Sequence, residues 1–212
     1  MNIMMIDTET TNSIDDPIVY DVGFQVFDES GNVLEEASMV NADVFLDSDL
    51  MASAYFADKI PMYWEDIKMG ARELMAWSRI KWRLFTAYQR HDCKIVCAHN
   101  ARFDYRSLHL TQRYITSSQF RYVLPWGAEW VDTLKMARNV LKNDDDYKQY
   151  CVTNGYMTAN NQPRYTAEVL YRYITGKETF EEKHTALADV RIEKLIYFYC
   201  LSRDPEVDGK LW

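Results

Sequence analysis

The first residues in the chain that could carry out chemistry are two carboxylates, Asp7 and Glu9, separated by Thr8. They follow a short apolar run, residues 2–6, that predicts a buried strand entering a polar loop. Side chains two residues apart on an extended segment point to the same side, so both carboxylates can face one metal ion. Acid pairs of this kind also stand at ordinary solvated strand ends, so the pair becomes informative only in combination with other residues.

A third candidate carboxylate, Asp104, follows a second apolar run at residues 94–98, which we predict to be another strand. Asn100 is a suitable N-cap for a helix expected over about residues 102–114. Asp104 would then lie in the first helical turn, where the helix dipole favours an anion. A carboxylate that only complements the dipole would have the same position, so both interpretations stay open.

Near the end of the chain, His184 and Asp189 flank the start of a helix predicted over about residues 185–202. Five residues on one continuous helix turn by about 140°, which would make the two side chains diverge. They converge only if His184 precedes the helix proper, and the polar stretch after Gly176 permits this. Imidazole titrates near neutral pH and is therefore suited to proton transfer.

The elements that must position these residues form two groups. Residues 18–28 alternate in hydrophobicity as a strand does, and a turn cluster at 28–32 leads to a returning strand at 33–40. With the first strand this predicts an antiparallel meander. Further strands and helices alternate after it. They are expected at 94–98, 131–132, 133–141, 166–175 and 185–202. The fold class is therefore α/β, a mixed sheet with an antiparallel meander and then parallel strands, flanked by helices.

Three segments carry no motif. Residues 41–93 are expected to be a helical, Trp-rich part of one domain that spans 1–203, with an amphipathic helix from Trp64 to about Arg90. Residues 142–165 are polar, rich in Asn and Asp, and predict a long loop or lid. Residues 204–212 are expected to form a short C-terminal tail.

The composition of the chain indicates which binding partners and which cellular compartment to expect. The net charge of −8 argues against a protein that coats nucleic acid through bulk electrostatics, although bound metal ions can supply positive charge locally. Four cysteines follow neither a zinc nor a disulfide spacing, and we expect buried free thiols. No apolar run reaches 18 residues and no leader segment is visible, so we expect a cytoplasmic protein with no membrane partner.

Taken in order along the chain, these weak signals become specific. The chain resembles the DEDDh 3′→5′ exonucleases of the DnaQ-like superfamily, which have a ribonuclease H-like fold and include the proofreading subunit of the bacterial replicative polymerase and ribonuclease T. The resemblance rests on Asp-x-Glu at 7–9, His-Asn-x-x-Phe-Asp at 99–104 and His-x-x-x-x-Asp at 184–189, and it covers about residues 2–40 and 94–200. Relatives often carry Gly where this chain has Asn12, a residue that also tolerates a left-handed backbone.

The resemblance implies roles for eight residues. It implies that four carboxylates bind two divalent ions, Mg²⁺ or Mn²⁺, and that His184 is the general base. The implied metal ligands are Asp7, Glu9, Asp104 and Asp189. It also implies that Thr8, Thr10 and Asn100 contact the terminal nucleotide, although a simple turn role would account for each of them equally well.

Three functions stay open on the sequence. The first is an exonuclease that removes nucleoside 5′-monophosphates from single-stranded or frayed DNA 3′ ends, in proofreading or repair, with any polymerase on a separate chain. The second is a 3′→5′ exoribonuclease that trims RNA tails or short oligoribonucleotides, which would use the same catalytic residues. The third is an inactive nucleic-acid-binding module, against which the intact set of five residues counts.

Overall fold

The computed structural model describes residues 1–12 and 14–212. The predicted antiparallel meander is confirmed. It consists of β1 (Asn2–Thr11), β2 (Ile18–Phe27) and β3 (Val33–Asn41). β2 is buried along its whole length, because helices cover the sheet on both faces.

Three further strands complete a six-stranded sheet with the order β4-β3-β2-β1-β5-β6. β4 (Glu73–Met75), β5 (Cys93–Ala98) and β6 (Glu129–Asp132) each run parallel to the strand that they join. The predicted fold class, a mixed sheet with antiparallel and then parallel strands between helices, is therefore confirmed. β1 lies between the antiparallel half and the parallel half, and its carboxyl end is where the candidate site forms.

Nine α-helices are assigned over the described residues. They are α1 (Ala42–Phe45), α2 (Ser48–Met51), α3 (Ile60–Lys68), α4 (Trp77–Arg90), α5 (Ala101–Ile115), α6 (Thr133–Leu141), α7 (Asp145–Thr153), α8 (Ala167–Thr175) and α9 (Ala186–Arg203). A short 3-10 turn, Ala57–Lys59, precedes α3.

Alternation along β1 divides the core between the two faces of the sheet. Met4 and Ile6 pack with residues of α4 and α5 on one face. Ile3 and Met5 pack with residues of α6, α8 and α9 on the other. A smaller cluster around Tyr63 lies under the segment from α1 to α3. The site residues of β1 therefore begin where the core side chains of that strand end.

The prediction of one helix from Trp64 to about Arg90 is wrong. α3 ends at Lys68, and Gly70 takes a left-handed conformation (φ 73°) that turns the chain. Leu74, which lies inside the span predicted to be helical, is instead part of β4 and pairs with Val40 of β3. Pairing at the sheet edge outweighs the helical pattern over these three residues.

Two other segments are more ordered than expected. The expected loop at 142–165 contains α7, whose N-cap Asp144 accepts a 2.9 Å hydrogen bond from the backbone N–H of Tyr147. The expected tail at 204–212 packs along β6. There the Asp132 amide donates to the Gly209 carbonyl at 2.7 Å, and the Leu211 amide donates to the Trp130 carbonyl at 2.9 Å.

All four cysteines are free and buried, as predicted. Over residues 1–12 and 14–212, no helix combines the length and the apolarity needed to cross a lipid bilayer.

Candidate active site

Three carboxylates meet at the floor of a cleft at the carboxyl end of β1. Ligand oxygens of Asp7, Glu9 and Asp189 all lie within 4.8 Å of one another. The pairing of β1 with β5 ends at Met5, so the strand carries Asp7 and Glu9 past its neighbour into the open end of the sheet. Asp189 reaches them from the first turn of α9.

A glycine in β2 allows α9 to come this close. Gly23 pairs with Asp7, and a Cβ atom on it would lie 2.2 Å from the backbone nitrogen of Leu187. The backbone N–H of Ala186 donates to a carboxylate oxygen of Asp21 at 3.0 Å. β2 therefore fixes the first turn of α9 directly over the carboxylates of β1.

Asp21 also ties the segment before α4 to this point. Its carboxylate accepts hydrogen bonds from the Arg72 guanidinium at 2.9 Å and from the Tyr63 hydroxyl at 2.7 Å. Burial raises the pKa of Asp21, and Arg72 and Tyr63 act in the opposite direction by stabilising the charged form. Oδ2 of Asp21 is thus held by an ion pair with Arg72, whereas its Oδ1 is buried without a hydrogen-bond partner among the described residues.

Asp104 lies beside the three-carboxylate cluster, in the first turn of α5 as predicted. It is 2% exposed, and the Thr8 hydroxyl donates to its Oδ1 at 2.8 Å. Burial raises the pKa of Asp104 to about 7, and the Thr8 hydroxyl acts in the opposite direction. Thr8 therefore orients a candidate metal ligand with its side chain.

The turn before α5 is built differently from the expected N-cap. Asn100 has a left-handed backbone (φ 67°), and its side chain makes no capping hydrogen bond, so that expectation is wrong. Its backbone N–H donates instead to the Asp132 carboxylate at 2.9 Å, which also accepts from the Leu134 N–H at 2.9 Å. Asp132 at the end of β6 thus holds the turn that presents α5 to the cleft.

His184 forms part of the cleft wall. It precedes α9, which begins at Ala186, and its backbone is left-handed (φ 49°), so it stands before the helix as its proposed role requires. Its ring stacks on Phe56, with centroids 4.3 Å apart and planes 12° apart. The Lys59 ammonium donates to the carbonyl of Lys183. Burial and the nearby Lys59 charge lower the pKa of His184, which favours the neutral imidazole.

The positive charge of Lys59 lowers the pKa of Glu9 and Asp189, but burial and the neighbouring acids outweigh it. Burial, followed by the neighbouring acids, raises the pKa of Asp7 well above its usual range and raises the pKa of Asp189 to about 8. Burial likewise raises the pKa of Glu182 to about 7. Acids gathered in this way are stabilised when a cation binds between them.

The donor set suits a hard divalent cation. Asp189 Oδ1 and Glu193 Oε2 are buried and have no hydrogen-bond partner among the described residues. Oxygen ligands favour Mg²⁺ or Mn²⁺ over softer metals. The residues present therefore fit the divalent ions that the resemblance implies.

Sequence reasoning missed several residues of the cleft, among them Glu193, Glu182 and Phe56. Glu193 had a usable signal, because it stands four residues after Asp189 and so on the same face of α9. Glu182 lies two residues before His184, and its Oε2 is 3.6 Å from the imidazole Nδ1. Phe56 had no local signal, since it meets His184 from a distant part of the chain.

The cleft encloses about 700 Å³ above the carboxylates. Of the residues expected to contact the substrate, Thr8 and Asn100 line it, whereas Thr10 follows an irregularity in the β1–β2 pairing and lies outside the lining. His99 is held by two contacts, with its Nε2 2.8 Å from the Tyr165 carbonyl oxygen and its Nδ1 3.0 Å from the Thr133 hydroxyl oxygen. Two exposed arginines, Arg138 and Arg164, supply positive charge at the rim.

Comparison with known proteins places the fold. No protein-family model matches the chain, and no curated protein is similar to it in sequence. Among solved structures, exonuclease I from Methylocaldum szegediense is similar at a TM-score of 0.63 and 16% identity, over 97% of this chain and 41% of that one. A zinc-bound E. coli exonuclease I–ssDNA complex is similar at a TM-score of 0.58 and 16% identity, over 97% of this chain and 41% of that one. E. coli exonuclease I in complex with a dA16 oligonucleotide is similar at a TM-score of 0.57 and 16% identity, over 97% of this chain and 42% of that one.

These likenesses concern the fold. The chain spans about two-fifths of the length of the exonuclease I structures that it matches. Over that part, the chain shares its overall fold with them.

Proposed function

We propose that this chain is a metal-dependent 3′→5′ exonuclease that removes nucleoside 5′-monophosphates from single-stranded DNA ends. The observation that carries the proposal is the convergence of Asp7, Glu9 and Asp189 within 4.8 Å of one another in a cleft that His184 lines. These residues come from separate parts of the sequence. Because like charges repel one another, unrelated surface acids are not expected to converge beside a histidine at the end of a central strand. The exonuclease I fold supports the same assignment.

Asp7, Glu9, Asp104 and Asp189 would hold two divalent ions, either Mg²⁺ or Mn²⁺. When bound, such ions promote deprotonation of a water and stabilise charge on the leaving 3′-oxygen. The Thr8 hydroxyl keeps Asp104 oriented toward this position.

His184 would act as the general base that accepts the proton of the attacking water. Its lowered pKa leaves the imidazole neutral near pH 7, the form that can accept a proton. The stacked Phe56 ring fixes the plane of the imidazole, so the ring cannot turn away from the carboxylates without losing that contact. Phe56 is thus a positioning residue for the base.

The shape of the cleft favours a chain end over an internal site. Its lining includes Phe56, from the segment before α3, and residues 163–167 around Tyr165. Phe103 and Tyr165 line the same cleft as the carboxylates, and aromatic side chains are suited to stack on an unpaired base. A single unpaired terminal nucleotide fits this description better than a continuous duplex.

DNA is favoured over RNA by one observation. The structures that share the fold include complexes of exonuclease I with single-stranded DNA. The catalytic residues would serve an exoribonuclease equally well, and an inactive binding module would need no base. The experiment therefore includes an arm for each alternative.

The test is a time course on matched 5′-labelled single-stranded DNA and RNA of one sequence, with Mn²⁺ and with a chelator. We expect a ladder that shortens from the 3′ end of the DNA, only when the metal is present. Faster digestion of RNA would make the chain an exoribonuclease. Binding without any shortening, in a folded protein with Mn²⁺, would make it a binding module.

Polarity needs its own substrates. A 3′-phosphorylated twin and a closed circle of the same sequence should both resist digestion. Cutting of the circle, or release of nucleotides from the 5′ end, would contradict the proposed polarity.

A further inference from the structure

Glu182 is an acid in the cleft wall to which the proposed mechanism gives no role. Its side chain is 12% exposed, and its Oε2 lies 3.6 Å from Nδ1 of His184. Over residues 1–12 and 14–212, His184 is the only basic side chain within ion-pair distance of this carboxylate. Glu182 therefore faces the imidazole that is proposed as the general base.

The segment before α9 is held in place by α8, so Glu182 is not free to leave the imidazole. The Arg172 guanidinium donates to the Phe180 carbonyl at 2.7 Å. The backbone N–H of Glu182 donates to Oε1 of Glu168 at 3.4 Å, and Arg172 donates to the same oxygen at 2.7 Å. Two backbone groups of the segment are thus tied to one helix.

The contact with Phe56 leaves one property of the imidazole undetermined. The two ring planes are 12° apart, so stacking fixes the plane of the His184 ring. Turning the ring over keeps this plane but exchanges the positions of its nitrogen and carbon atoms. Stacking therefore does not decide which nitrogen is available. An acid at one edge decides it, because the hydrogen bond of one imidazole nitrogen sets the protonation of the other.

We propose that Glu182 is a positioning residue for the general base, whose carboxylate accepts a hydrogen bond from the Nδ1–H of His184. The proposal rests on the proposed function, since it gives the base of that reaction its partner. Nε2 is then the nitrogen that takes the proton from the attacking water, and the carboxylate stabilises the imidazolium that forms. The proton stays on the imidazole and does not pass to Glu182.

The distance and the charge of Glu182 are compatible with this role. The separation of 3.6 Å is longer than a hydrogen bond, and contacts of catalytic groups commonly shorten when substrate binds. Burial raises the pKa of Glu182 to about 7, and the Lys59 charge acts in the opposite direction. Above that pH the acid is a carboxylate, while His184, whose pKa is lowered, is neutral. The tests are therefore carried out at a pH above both values.

The first test is a nitrogen-15 NMR spectrum of the imidazoles in the metal-free whole chain. The His184→Ala variant identifies the His184 signals by their loss. We expect the tautomer with hydrogen on Nδ1 in the wild type. Glu182→Met keeps the length of the side chain and removes its oxygens, and we expect this tautomer to become less populated. Glu181→Met, the same change at the exposed neighbouring acid, should leave the spectrum of His184 unchanged.

The second test is a double-mutant cycle on the exonuclease rate with Mn²⁺. We expect Glu182→Met to lower the rate roughly 10–100-fold, the usual loss when the outer partner of a metal-binding imidazole is removed. In the His184→Ala background the same change should have no further effect, because the group through which Glu182 acts is absent. A structural role, or a direct effect of its charge on the metal ligands, would lower the rate in both backgrounds.

The outcomes separate this proposal from the proposed function. A wild-type His184 with hydrogen mainly on Nε2 would overturn the role of Glu182, and so would equal rate losses in the two backgrounds. The exonuclease assignment would stand in both cases. If Glu182→Met does not fold, as shown by its melting curve, the wild-type tautomer decides alone. A wild-type chain that digests no DNA removes the proposed function and the role of Glu182 with it.

Discussion

Asp7 is the residue on which the proposed site depends most. It lies at the cleft floor, and four neighbouring acids, Glu193, Asp104, Glu9 and Asp189, add to the effect of burial in raising its pKa. It therefore stands at the centre of the negative charge. Replacing it would remove one proposed metal ligand and one of the mutually repelling buried acids.

We expect Asp7→Asn to lower the exonuclease rate at least ~100-fold, a loss comparable to removing one preorganised electrostatic group. The metal-free variant should melt at a higher temperature than the metal-free wild type and should gain little from Mn²⁺. Rates from the 5′-labelled DNA assay and melting curves measure the two effects. Asp16→Asn, at an exposed acid, is the matched control. Near-normal turnover by folded Asp7→Asn would exclude the assignment.

His184→Ala should differ from the carboxylate variants. It should bind Mn²⁺ normally but cleave about 10²–10⁴-fold more slowly, because only the proton acceptor is gone. Higher pH should restore part of the rate. In the wild type the lowered pKa of His184 should put the acidic limb of the pH–rate profile below the ordinary histidine value of ~6.5. Loss of Mn²⁺ binding in the variant would instead make the histidine a ligand.

The contact between β2 and α9 is the element-scale feature that assembles the site. The first turn of α9 carries Asp189 and follows His184 directly, and it lies against Gly23 without room for a side chain. The positions of His184 and Asp189 therefore both depend on the close contact between the backbone of Gly23 in β2 and the first turn of α9.

Gly23→Ala should push the first turn of α9 away from β1, because the obstacle is backbone and cannot rotate aside. We expect a lower melting temperature and a loss of Mn²⁺ affinity, measured by calorimetry. Gly155→Ala is the control. It meets nothing within 4 Å but has φ +73°, so it should cost only the backbone strain, roughly 1 kcal/mol, and leave Mn²⁺ affinity intact. An unchanged Mn²⁺ isotherm in Gly23→Ala would show that α9 tolerates the shift.

Sequence patterns predict the elements that are long and regular. The alternation of 18–28 and the apolar run of 94–98 each indicated a strand close to the observed one. β4 could not be predicted, because three residues hold no period and its pairing with β3 is a distant contact. α7 was missed because its acidic, polar sequence resembles a loop, although Asp144 offered an N-cap signal.

Some residues of the candidate site could likewise be predicted from the sequence and others could not. The five residues of the three motifs were found because their order along the chain fits one architecture, and the structure gathers all five in one cleft. Glu193 was missed because an acid on a helix is usually on a solvated face. The stacking of Phe56 on His184 depends on how a distant segment folds back, which no local pattern encodes.

At the scale of the whole molecule, the buried acids couple stability to pH. Burial raises the pKa of Asp104 to about 7 and that of Asp189 to about 8, from ordinary values of 3.8. The metal-free folded chain therefore keeps protons that the unfolded chain releases. The stability from these groups is fully present below about pH 4 and is lost as pH rises through the folded values.

We expect the melting temperature of the metal-free protein to fall as pH rises from about 5 to about 8 and expect Mn²⁺ to remove most of this fall. Melting curves with a chelator and with Mn²⁺ across this range provide the measurement. Asp189→Asn should flatten the metal-free dependence. A metal-free melting temperature that rises over this range would contradict the charge distribution described here.

The net charge of −8 should also limit how strongly DNA binding depends on salt. Two exposed arginines, Arg138 and Arg164, line the cleft, so about two phosphates should be neutralised. Anisotropy with a labelled DNA oligomer and the Asp7→Asn variant, which we expect to digest the oligomer slowly, gives the slope. Arg138→Gln should reduce that slope by about one. A slope equivalent to six or more phosphates for Asp7→Asn would indicate a basic track elsewhere on the chain.

The segment along β6 has a consequence for association between copies of the chain. A sheet edge with free amides and carbonyls can pair with a strand of another molecule. Here the Asp132 amide and the Trp130 carbonyl are already bonded to residues 209–211, and Gly209 packs too tightly against Met136 to admit a side chain. The opposite edge, β4, is only three residues long. The fold thus carries its own protection against edge-to-edge aggregation at both ends of the sheet.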